Sequence, residues 1–207
     1  MKLILGLVVG VGLLIAGLWY LSSMEAPDTA KLDIAADEWQ QGPSDAKVTL
    51  VEYADFECPA CAAYHPVLKE VKEAFKNELR FVYRHFPLPM HRNAVAASLA
   101  AEAAGKQGKF WEMSDLLYAK QKEWDKKTSE DRGMFEKYAT ELGLNLEQFK
   151  TDMQNDELRK KIEAQRSSGD DLNVRGTPSF FLNGESITNP SNAEAFKNLI
   201  RAKLEGR

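Results

Sequence analysis

The sequence predicts an α/β domain in which a block of helices interrupts a small sheet, preceded by one apolar transmembrane helix. Three observations carry this. Residues 47–55 ("KVTLVEYAD") and 78–88 ("ELRFVYRHFPL") are rich in β-branched and aromatic side chains and read as strands. From His91 to about Leu172 the apolar period is helical, and residues 177–188 ("TPSFFLNGESIT") return to strand character. With 44% hydrophobic and 28% charged residues and no low-complexity tract, the 207-residue chain is long enough to bury a one-domain core.

Residues 3–21 ("LILGLVVGVGLLIAGLWYL") carry no charge over nineteen positions and end near the interfacial pair Trp19 and Tyr20. At about 1.5 Å per residue such a helix spans a bilayer core, so residues 1–22 are expected to form an uncleaved anchor. A cleaved signal peptide is the alternative, since Lys2 precedes the run and small residues follow it. The apolar regions of such peptides are usually only ~7–15 residues long, however, and no A-x-A site is evident. Lys2 before the span and Glu25 and Asp28 after it orient the amino terminus to the cytoplasm and the remaining chain to the periplasm or cell surface.

Residues 23–46 read as a linker with a short element near 32–39, and residues 47–207 as the folded domain, with the helical insertion at about 91–172. Removing residues 1–22 takes one lysine and no acid from 27 basic and 31 acidic side chains, leaving a net charge of −5. There is no basic stripe for nucleic acid.

After the first strand, residues 58–77 show helical spacing at Cys61, Val67, Val71 and Phe75, with Pro59 suited to the first turn. Pro87 and Pro89 stop the second strand. An alanine-rich helix at 94–104 is ended by Gly105, and Phe110, Met113 and Leu117 mark the next. Phe135, Tyr138, Ala139 and Leu142 form an apolar stripe, Asn145 with Gln148 resembles a capping box, and a further helix runs over about 157–166. Asn183-Gly184 signals a hairpin, and a closing helix is capped by Ser191 or Asn192.

The only two cysteines, Cys58 and Cys61, lie in "EYADFECPACAAYHP", residues 52–66. They close too small a loop to stabilise much as a clip. At a helix N-terminus, free N–H groups and the macrodipole lower the pKa of the first cysteine, making Cys58 nucleophilic, and Cys61 one turn inward is placed to resolve a mixed disulfide. Pro59-Ala60 between them offers neither cation nor histidine, so the depression is expected to stop short of the extreme. A metal site built on Cys58, Cys61 and His65 is geometrically conceivable but lacks a second CxxC or an HxxxH, so no metal ligand is assigned. His65, His85 and His91 are read as packing, strand termination and surface exposure.

"VTLVEYADFECPAC", "RHFPL" and "VRGTPSFFLNG" together resemble the DsbA-like thiol-disulfide oxidoreductases, thioredoxin-like folds with a helical insertion, over about residues 47–205. The resemblance implies that Thr177-Pro178 is a cis-proline loop beside the CxxC whose backbone pairs with extended substrate. It implies that Glu52 is a buried acid moving protons to and from Cys61, the alternatives being a structural partner or an outward-facing carboxylate. It also makes Pro66 the proline that kinks the helix carrying Pro59 and Ala60.

The implied activity is introduction of disulfides into reduced or misoxidised extracytoplasmic proteins without a cofactor, with reoxidation by a quinone-linked membrane partner. Many strongly oxidising members carry histidine where Ala60 stands, so a reductase or isomerase of the same fold stays open. A redox-inert chaperone-like module stays open too.

Overall fold

The computed structural model describes residues 32–125 and 133–206. The anchor expected at 1–22 lies outside them, and among the described residues no helix is long and apolar enough to cross a membrane. In chain order the elements are β1 (Trp39–Gln41), β2 (Val48–Ala54), α1 (Pro59–Ala74) and β3 (Leu79–His85). The insertion follows as α2 (Ala94–Gly105), α3 (Phe110–Ala119), α4 (Gln121–Trp124), α5 (Gly133–Glu141), α6 (Leu146–Asp152) and α7 (Asp156–Asp171). The chain then forms β4 (Ser179–Leu182), β5 (Glu185–Ile187) and α8 (Ala193–Leu204).

The sheet order is β1-β3-β2-β4-β5, with β2 and β3 parallel and every other pair antiparallel. A parallel pair needs a crossover, which α1 supplies. Central β2 is buried at every position but Thr49, hence its nearly continuous apolar run. Leu50, Ala54, Phe81, Tyr83 and Phe180 pack with Leu68 and Val71 of α1, Leu117 of α3 and Phe196 of α8. Val51, Tyr53, Val82, Phe86 and Phe181 form the opposite layer with Val174. Phe180 and Phe196 meet edge to face at 5.0 Å. Burying each contributes about 1.5–3 kcal/mol.

The folded domain begins earlier than residue 47. Leu32 and Ile34 pack on the second layer, and β1 pairs with β3 inside the stretch read as linker. The Trp39 ring stacks on Phe110 at 4.4 Å and donates its indole N–H to Glu102 at 2.7 Å. A three-residue edge strand has no period to read, which is why pattern alone placed a short element near 32–39 without its bounds or its pairing.

Gly105 likewise does more than stop a helix, since a Cβ there would stand 2.2 Å from the Trp39 ring. α7 extends past residue 166 because Ser168 meets Tyr53 Oη at 2.9 Å and Gln165 accepts from the His85 N–H. The hairpin signal holds, with Asn183 and Gly184 at φ 51° and 86°. Asn145 caps α6 and Asn192, rather than Ser191, caps α8.

Candidate active site

Cys58 is the N-cap of α1, with Pro59 in the first turn, where a missing N–H costs nothing. Both cysteines are free thiols in this structure, and both are buried. The Cys58 thiol is held down to about 5, chiefly by a hydrogen bond from the Cys61 thiol and against the opposing effect of burial. The N–H groups of Cys61 and Ala60 add to the lowering. Burial pushes the Cys61 thiol well up, and its bond to Cys58 and the nearby Glu52 charge push the same way. The pair therefore divides into one thiolate and one thiol at neutral pH.

Thr177-Pro178 is cis, and the Thr177 carbonyl lies 3.3 Å from Cys58 Sγ, where it accepts a hydrogen bond only while that thiol is protonated. A hundred and nineteen residues apart in sequence, the two sites are in contact. The Thr177 hydroxyl is buried without a hydrogen-bond partner of its own in this resting geometry. Pro66 lies inside α1, where it removes one helix donor.

Glu52 points inward. It shares the sheet face of Leu50 and Ala54, between Tyr83 of β3 and Phe180 of β4, and it is buried. Burial pushes its carboxyl up to about 8, with the Lys72 ammonium pulling the other way.

The turn before Cys58 is gripped by groups that sequence reading passed over. Asp55 is fully buried and accepts from the Glu57 N–H at 2.8 Å, the Leu88 N–H at 2.8 Å and His91 Nδ1 at 2.7 Å. His91 is therefore half-buried beside the site rather than a surface residue. Glu57 accepts from the Asn93 N–H at 2.6 Å. Gln121 of α4 donates to the carbonyls of Phe56 at 2.7 Å and Cys58 at 3.0 Å. The insertion thus fixes the backbone that presents the nucleophile. A polar residue just after a strand reads as ordinary turn chemistry, so the clamp has no signal of its own.

The remaining histidines are engaged. His65 packs on Tyr118 and pairs with Asp115 at 2.7 Å. His85 does end β3, but it is buried and bonded to Glu102 at 3.0 Å.

These features define a thioredoxin-fold dithiol protein with an inserted helical domain. The family model described as Thioredoxin matches residues 35–202, and the chain belongs to that family. Its fold is shared by solved structures of DsbA-type proteins. Bacillus subtilis BdbD superposes with a TM-score of 0.72 at 22% identity, over 82% of this chain and 94% of that one. Wolbachia pipientis alpha-DsbA1 gives 0.77 at 19% identity, over 86% and 96%.

In sequence, the Na(+)/H(+) antiporter NhaA 1 of Salinispora arenicola is 40% identical over 167 residues, 80% of this chain. The chain spans about a quarter of the length of the curated relatives it matches, 24% of that antiporter.

Proposed function

We propose that the protein is a disulfide-introducing oxidoreductase acting through Cys58 and Cys61. The observation that carries this is the split pair, a stabilised thiolate at Cys58 beside a buried thiol at Cys61, with the Thr177 carbonyl against the same sulfur. In the oxidised enzyme a substrate thiolate attacks Cys58 Sγ, the disulfide breaks, and Cys61 leaves and takes a proton from Glu52. A second substrate thiolate attacks the substrate sulfur of the mixed disulfide and releases Cys58 as a thiolate. Two electrons pass from substrate to enzyme. A low leaving-group pKa speeds the last step and favours the reduced enzyme, which makes the protein an oxidant. Thr177 and Pro178 offer backbone beside the reacting sulfur on which an extended substrate segment pairs.

Substrates are reduced or misoxidised extracytoplasmic proteins, reached by a chain tethered through residues 1–22 and reoxidised by a quinone-linked membrane partner. Antiporters among the relatives that carry this domain support placing it at a membrane. The test is the reduction potential against glutathione, with a dithiol peptide as substrate. A value on the oxidising side of about −200 mV and loss of peptide oxidation in Cys58→Ser are expected. A value near about −270 mV reverses the electron flow and favours the reductase reading.

A further inference from the structure

The loop ahead of β4 turns successive carbonyls to different partners. That of Gly176 accepts from Ser179 Oγ at 2.8 Å, that of Thr177 lies 3.3 Å from Cys58 Sγ, and that of Pro178 accepts from Asn189 Nδ2 at 2.8 Å. In the β4–β5 hairpin Phe180 stands opposite Ile187 and Leu182 opposite Glu185. Carrying the same register past the start of β4 sets Pro178 opposite Asn189, so the side-chain amide supplies the donor that a further ladder pair would draw from the backbone. Asn189 itself stands on fixed backbone. Pro190 beside it is buried, and its carbonyl accepts from Tyr64 Oη at 2.8 Å. Tyr64 belongs to α1, the helix that Cys58 caps, and its ring packs on Phe180 and Phe196 at 5.6 and 6.4 Å. One dipeptide, Asn189-Pro190, is thus bonded both to the active-site helix and to the loop that faces its sulfur.

We propose that Asn189 is a positioning residue for peptide substrates, holding the Pro178 carbonyl toward β5 so that the Thr177 backbone keeps its place beside Cys58. The proposal rests on the peptide pairing given to Thr177 above. A Cys58 thiolate or disulfide has no S–H to donate, and the Thr177 carbonyl is then an acceptor for an incoming peptide N–H. A hydrogen bond weakens steeply with misalignment, so a loop released on its β5 side loses this one first. A small thiol without amide groups has no chain to pair and exchanges at the same sulfur without the edge.

The experiment uses the full chain carrying Cys61→Ser, which leaves Cys58 as its one cysteine. Cys58 is first joined to 2-mercaptoethanol by exchange with hydroxyethyl disulfide, and a peptide with a single cysteine then competes for it. The peptide thiolate attacks Cys58 Sγ, the bond between the two cysteines forms, and 2-mercaptoethanol leaves as its thiolate with no net oxidation. Both competitors bond the same sulfur, so the exchange constant cancels changes in Cys58 itself and reads what the peptide gains from its surroundings. Each backbone amide of the peptide is N-methylated in turn to find the one that pairs.

With Asn189 in place the peptide is expected to be preferred, and methylating one amide to lower the exchange constant about fivefold. Asn189→Leu and Asn189→Asp are close to isosteric and lack the donor, and the exposed position lets both fold. Each is expected to lower the constant for the unmethylated peptide about threefold or more and to cut the methylation penalty to about twofold or less. Variants that keep the full penalty overturn the proposal, whatever their constant. So does a chain with Asn189 in place that shows no penalty at any amide. The exchange is blind to the direction of electron flow, so a potential near the thioredoxin value sinks the oxidase reading and leaves this one.

Discussion

Cys58 concentrates the chemistry because one sulfur receives the Cys61 thiol and the open end of α1 and stands against the Thr177 carbonyl at once. Its alkylation rate is expected to rise with pH about a midpoint near 5, and Cys61→Ala to move that midpoint upward by removing the largest cause. The same depression makes stability depend on pH. The thiol is ordinarily at 9.0 and in the fold at about 5, so between those values the unfolded reduced chain binds more protons than the folded one. This contribution is complete above the upper value and lost as pH falls through the lower. The urea midpoint of the reduced protein, measured relative to the oxidised one, should therefore climb from pH 5 towards 9. A flat difference contradicts the assignment. Cys58, Cys61, Pro178 and Glu52 were legible as residues because a CxxC, a Thr-Pro and a carboxylate in an apolar strand each break the local pattern. Asp55 and Gln121 break none, and their roles exist only through partners distant in sequence.

Four elements meet at Glu102. Its carboxylate on α2 accepts from Trp39 of β1, His85 of β3 and Lys161 of α7, and these donors hold its pKa below the usual range despite burial. Lys161 keeps the Asp37 carbonyl, but Glu102→Leu leaves Trp39 and His85 without their acceptor and is expected to cost about 3–5 kcal/mol in urea unfolding. Glu102→Gln keeps one acceptor oxygen and should lose less. Most helices were readable from the sequence, since apolar spacing and asparagine caps are local. Helix ends were not always so. α7 continues to Asp171 because its last turns pack on β3 and Tyr53, a tertiary reason that spacing does not record.

At the scale of the molecule, the segment ahead of β2 belongs to the domain. Glu38 and Arg84 form a buried ion pair at 2.7 Å, and Arg84 also donates to the Asp33 carbonyl at 2.6 Å and to Tyr53 Oη at 2.7 Å. A chain trimmed to start at residue 47 loses Glu38, Asp33 and Trp39 together. It is expected to be at least about 3–5 kcal/mol less stable than the full chain by denaturant unfolding, because Arg84 is left buried without its carboxylate. Equal midpoints would return the boundary to residue 47. By itself the sequence determined the alternation of strand and helix, the hairpin and the dithiol, because each rests on contacts within a few residues along the chain. Only the tertiary structure decided how far apart the two thiols are driven in pKa, where Glu52 faces and what grips the active-site turn. Those outcomes depend on burial and on charges brought together by the sheet order and the insertion, and neither is a property of any one stretch of sequence.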